Sequence, residues 1–88
     1  MLMYNPVHPS EVLKELIFDT LGISLTHAAY HLDITDEALS KMLNKQLAIT
    51  PDIALRLELA FGNPTADQWL SMQNAYDLWQ ISQGHDWY

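Results

Sequence analysis

Residues 22–45, Gly22-Ile-Ser-Leu-Thr-His-Ala-Ala-Tyr-His-Leu-Asp-Ile-Thr-Asp-Glu-Ala-Leu-Ser-Lys-Met-Leu-Asn-Lys45, carry two short apolar helical rhythms separated by a turn. Ala28, Ala29 and Leu32 fall on one helical face. Asp33 follows, a residue type that tolerates the left-handed backbone a tight reversal needs. Ile34 then packs inward, and Thr35 can cap a second helix whose inward face is Leu39, Met42 and Leu43. The spacing predicts helices over roughly 25–32 and 36–44. So few residues separate them that they must cross steeply, the geometry of a helix-turn-helix. The outward face of the second helix opens with Asp36 and Glu37, where a helix that reads DNA would show neutral or basic groups. Acids in a first turn also favour the helix dipole by about 0.3–1 kcal/mol, so a purely structural reason for the pair stands beside any functional one.

The same grammar extends outward from the motif. Ser10 is expected to cap a first helix in which Val12, Leu13, Leu16, Ile17 and Leu21 share a face until Gly22 ends it. Ser24 caps the second helix. Thr50 followed by Pro51 opens a fourth, with Ile53, Leu57, Ala60 and Phe61 facing inward before Gly62, and Asn63-Pro64 turns the chain. Thr65-Ala66-Asp67-Gln68 has the form of a capping box and starts a fifth helix with Trp69, Met72, Gln73, Tyr76 and Trp79 along one stripe. The tail from Gln83 to Tyr88 is expected to fray, with Trp87 and Tyr88 either docked on a partner or exposed. No strand-like alternation, internal repeat or long linker interrupts the pattern. The expected fold is therefore an all-α five-helix bundle over residues 8–80, with 1–7 and 81–88 as flexible or partner-docking ends.

Composition narrows the function. Eighty-eight residues with 49% hydrophobic content and three tryptophans supply one compact core. No run approaches the roughly 20 apolar residues of a membrane span, and Met1-Leu2-Met3-Tyr4 lacks the basic start of a signal peptide, so a cytoplasmic protein without a membrane partner is expected. The absence of cysteine excludes disulfides and thiolate metal sites. A formal net charge of −7 repels a polyanion at long range and attracts a basic protein.

Reactive constellations are few. His27 and His31, one turn apart, could hold a metal through paired imidazoles, but neither a third ligand nor the glutamate of a zinc hydrolase is in view, and surface histidines are the expectation. Ser10 and Ser24 are better explained as caps than as nucleophiles, and three glycines make no phosphate cradle. Neither an enzyme nor a cofactor is expected. His8, in the lead before helix one, suits a cap or packing role. Arg56 is expected to pair with an acid near helix four.

Four separated stretches then read together: His8-Pro-Ser-Glu-Val-Leu13, Ile49-Thr-Pro-Asp-Ile-Ala-Leu-Arg-Leu57, Ala60-Phe-Gly62 and Trp69-Leu-Ser-Met-Gln-Asn-Ala-Tyr-Asp-Leu-Trp79. In this order they resemble the HigA/VapI antitoxin family, a branch of the phage-repressor-like (XRE, lambda-repressor-like) helix-turn-helix proteins, over about residues 8 to 79. The resemblance implies a five-helix domain that dimerises, binds operator DNA to repress its own operon, and neutralises a small basic ribonuclease toxin by direct contact. It also implies departures: where the family usually has glutamine, often arginine, and a Ser/Arg/Asn-rich helix start, this chain has Leu25, Tyr30 and Asp36-Glu37.

The resulting expectation for DNA is a face made of Thr35, Asp36, Glu37, Ser40, Lys41, Asn44 and Lys45, with two such helices about 34 Å apart in a dimer. Lys41, Asn44 and Lys45 would meet phosphates, while the two acids oppose them. Trp69, Tyr76 and Trp79 are the expected core or dimer and partner anchors on helix five. The alternative is a protein-interaction module of the same fold that has lost DNA binding through its acidic third helix.

Overall fold

A computed structural model describes residues 6–84 of the chain. Helix α1 (Pro9–Lys14) runs without a break into a wider π-helical segment, Glu15–Thr20; α2 (Leu25–Leu32), α3 (Asp36–Leu43), α4 (Pro51–Phe61) and α5 (Ala66–Gly84) follow, with no strand among the described residues. The all-α five-helix expectation is met. Expectations placed on Met1–Asn5, His85, Trp87 and Tyr88 lie outside the described residues.

Local chemistry sets most helix starts as anticipated. The Ser24, Thr35 and Thr50 hydroxyls accept from the backbone N–H of His27, Ala38 and Ile53 at 3.1, 3.0 and 3.3 Å. At α5 the capping box is reciprocal: Gln68 N–H donates to Thr65 Oγ1 (3.3 Å), and Thr65 N–H donates to Gln68 Oε1 (2.8 Å). Helix one differs. Its cap is His8, whose Nδ1 accepts from Ser10 N–H at 3.0 Å, because Pro9, with its fixed φ, already occupies the first helical turn. Ser10 is therefore inside the helix and buried, and its hydroxyl has no hydrogen-bond partner among the described residues.

The core collects Leu13 and Ile17 from helix one, Ala28, Ala29 and Leu32 from α2, Leu39, Met42 and Leu43 from α3, Ala54 and Leu57 from α4, and Trp69 from α5. Helix α5 packs mainly on α4 and also on α1; α2 packs on α3 and α4. Buried Gln73 ties the loop after α3 to α5: its Oε1 accepts from Ile49 N–H at 2.9 Å and its Nε2 donates to Asp77 at 2.9 Å. This satisfies a buried backbone donor that would otherwise cost about 1–3 kcal/mol.

Three expectations need correction. Leu21 faces outward, because the segment before it is wound with i to i−5 bonds, Leu21 N–H donating to Leu16 C=O at 2.9 Å, which turns it off the inward face. Ala60 is exposed, and Ala54 takes the inward position on α4. Helix α5 runs past its expected end at residue 80, through Gln83 to Gly84.

Candidate nucleic-acid interface

The turn between α2 and α3 is built by Asp33 in the left-handed region (φ 55°, ψ 46°). Ile34 N–H donates to Ala29 C=O and Asp33 N–H to Tyr30 C=O, both at 3.1 Å, the paired bonds of a Schellman ending. Arg56 on α4 then clamps this turn. Its Nη1 donates to the carbonyls of Leu32 (3.1 Å) and Asp33 (3.0 Å), and its Nε lies 3.2 Å from Asp52 Oδ2. The expected acid partner is present, but the larger role is to satisfy two orphan carbonyls at the end of α2. The sequence signals only the Asp52–Arg56 spacing and gives no hint of the carbonyl contacts.

A second brace joins the helix starts. Thr26 Oγ1, in the first turn of α2, donates to Asp36 Oδ2 at 2.7 Å, so Asp36 links the amino-terminal ends of α2 and α3. Glu37 reaches forward to Lys41 Nζ at 3.2 Å. Asp36, Glu37, Ser40, Lys41 and Asn44 lie on the outward side of α3, with Ser40 half-buried and the other four exposed, and Thr35 is exposed at its cap. Six of the seven expected residues therefore share one surface, on which two carboxylates meet a single lysine.

Lys45 is the seventh, and it turns away. It adopts a left-handed conformation (φ 64°), with Gln46 N–H donating to Lys41 C=O at 2.8 Å, so the chain reverses immediately after α3. Its Nζ lies 3.7 Å from Glu11 of α1. With Pro6, Val7, His8, Tyr76, Trp79 and Gln80 these two residues line an open groove of about 620 Å³ between the lead segment and α5. His8 sits at its floor with its ring edge-on to Tyr76, centroids 4.3 Å apart. Burial first, and the Lys45 charge second, hold the His8 imidazole below its ordinary pKa.

The aromatic stripe of α5 divides. Trp69 is completely buried and serves the core, so it offers nothing to a second chain. Tyr76 and Trp79 are half-buried with ring centroids 5.9 Å apart, while Leu78 and Ile81 are exposed on another side of the helix. On α2 the rings of His27 and His31 stack at 4.7 Å, and no group of three or more metal-ligating side chains occurs among the described residues. No described helix is long and apolar enough to cross a membrane.

No family model matches the chain. Individual proteins do. Virulence-associated protein A of Dichelobacter nodosus is 39% identical over 80 residues, covering 91% of this chain and 78% of the relative. Antitoxin HigA-1 of Vibrio cholerae is 32% identical, with 85% of this chain and 70% of the relative covered. Among solved structures, an addiction module antidote protein of the HigA family from Coxiella burnetii superposes with a TM-score of 0.77 at 39% identity, over 85% of this chain and 80% of that one. Pseudomonas aeruginosa antitoxin HigA, determined with the higBA promoter, superposes with a TM-score of 0.82 at 26% identity, over 90% and 85%.

Proposed function

This chain belongs to the HigA/VapI-type antitoxin family of XRE helix-turn-helix proteins, and on that premise we propose that it is an antitoxin and transcriptional regulator. It binds operator DNA as a dimer through α3 and a basic ribonuclease toxin through its acidic surface. The observation that carries the DNA half is the outward face of α3, capped by Thr35, braced by Thr26–Asp36 and supported by the Arg56 clamp on the preceding turn. Such a face, held rigidly at its amino-terminal end, is what entry into a major groove requires.

Its chemistry points to modest affinity. Lys41 is the one cation on that face and is paired with Glu37, so a phosphate must displace a carboxylate to reach it. Ser40, Asn44, Thr35 and the backbone amides at the start of α3 supply neutral donors. Glu37 is also able to accept from a cytosine N4 amine, which would make it a base-reading group. Tyr76 and Trp79, half-buried along one stripe, are the anchors through which α5 pairs two copies.

The test is fluorescence anisotropy with the DNA upstream of this gene and an unrelated duplex, across a salt series. The wild type is expected to bind its own operator in preference and to weaken as salt rises. Asp36→Asn with Glu37→Gln preserves shape and hydrogen bonding, and is expected to tighten binding about tenfold at low salt as like-charge repulsion is removed. Absence of binding by both proteins would overturn the DNA half. It would favour the second reading, a protein-interaction module, for which the two acids and the diverted Lys45 already argue.

A further inference from the structure

From Glu15 to Ser40 the sequence contains no lysine or arginine. Part of this stretch borders an open, mainly apolar hollow at the end of the bundle away from Lys45 and the α5 aromatics. Leu21 and Ile23, His31 of α2, and Ala60 with Phe61 at the end of α4 surround about 200 Å³. Phe18, one turn before Leu21, is 44% exposed and Leu21 is 43% exposed. Glu15 and Asp19 are exposed on the same π-helical segment and form no ion pair among the described residues.

The wide winding is what creates this surface. An ordinary α-helix would place Leu21 one turn below fully buried Ile17 and continue the inward stripe; the i to i−5 bond at Leu21 carries it outward instead. Interrupted helices of this kind concentrate at functional sites, because the fold forgoes burial to form them. The hollow is smaller than the roughly 300–1,000 Å³ of a small-molecule pocket, and suits a single protein side chain. A second copy of this chain would set Glu15 and Asp19 against acids of its own kind, and a nucleic acid would be repelled in the same way. A basic protein meets neither obstacle.

We propose that this hollow, with the acidic π-helical segment that leads into it, is the docking surface for the basic partner, taking one aliphatic or aromatic side chain flanked by lysine or arginine. The inference rests on the toxin half of the proposed function and specifies where the toxin sits. None of the residues involved belongs to α3, so toxin and operator would occupy different faces of one molecule.

Calorimetric titration of the full chain with a purified basic ribonuclease toxin, the partner class of the proposed function, tests this. Ala60→Phe fills the hollow from an exposed position, Phe18→Ser removes an exposed ring, and Glu15→Gln with Asp19→Asn removes the charge. The first two are each expected to weaken binding at least about tenfold, the loss typical of a hot-spot contact. The third is expected to weaken it several-fold and flatten its salt dependence. Thermal unfolding and anisotropy of the operator complex serve as controls that the fold and α3 are intact. A wild type that binds the toxin alongside variants that bind it as tightly would overturn the hollow while leaving the antitoxin reading in place. A wild type that binds no toxin would overturn both. Variants that alter self-association in sedimentation, with toxin binding intact, would make the hollow an interface between copies and also overturn the proposal.

Discussion

His8 holds the start of helix one through an imidazole nitrogen that must stay unprotonated to accept from Ser10 N–H. Burial and Lys45 lower its pKa, so the folded chain binds this proton less readily than the unfolded chain, whose histidine titrates near 6.5. Its contribution to stability is full above that value and is lost as pH falls through the depressed folded value. His8→Asn keeps an acceptor at the cap but does not titrate, so its Tm is expected to fall less than that of the wild type as pH drops below about 6.5, measured by circular dichroism melts. An identical pH profile for the two proteins would remove His8 from the acid response. The other caps were legible because a hydroxyl reaches only its own next turn: Ser24, Thr35, Thr50 and Thr65 need no tertiary neighbour. Ser10 misled because a serine before an apolar run looks the same whether it precedes the helix or, as the proline ahead of it dictates here, lies within it.

Among the elements, the α2–α3 pair depends on α4 through one side chain. Arg56→Met keeps the stem but leaves the carbonyls of Leu32 and Asp33 to solvent, and is expected to lower the unfolding free energy by about 1–2 kcal/mol, read from urea denaturation. A loss below the resolution of that measurement would mean that the Schellman bonds alone hold the turn. Helix existence and order were legible because apolar spacing and caps are written locally, and both halves of the helix-turn-helix match their expected ranges within a residue. The outward turn of Leu21 was not, since a change from α to π winding leaves the sequence pattern unaltered. Nor was the fate of the acids and lysines on and after α3. That Asp36 holds Thr26 follows from the crossing of two helices, and that Lys45 faces Glu11 follows from a left-handed residue type that sequence does not favour. Six of the candidate residues thus lie together on the outward side of α3, and at the seventh the backbone overrules helical spacing.

At the scale of the whole molecule, eleven acids oppose four lysines and arginines, and the ion pairs among described residues are exposed or half-exposed. Such pairs contribute about 0–1 kcal/mol each, so self-repulsion of the surplus acids is the larger long-range effect. Raising ionic strength from about 0.01 to 0.15 M shortens the screening length from about 30 to 8 Å, and Tm is expected to rise while operator affinity falls. A Tm that falls over the same range would show the pairs to outweigh the repulsion. Trp69, finally, bears on how the molecule is made. The one indole in the buried core is carried by the fifth helix, and Gln73 on that helix takes up the backbone of Ile49. A ribosome releases α1 to α4 first, as a set with an unfilled centre. The core is thus closed, and the backbone donor of Ile49 paired, only once the fifth helix has been made.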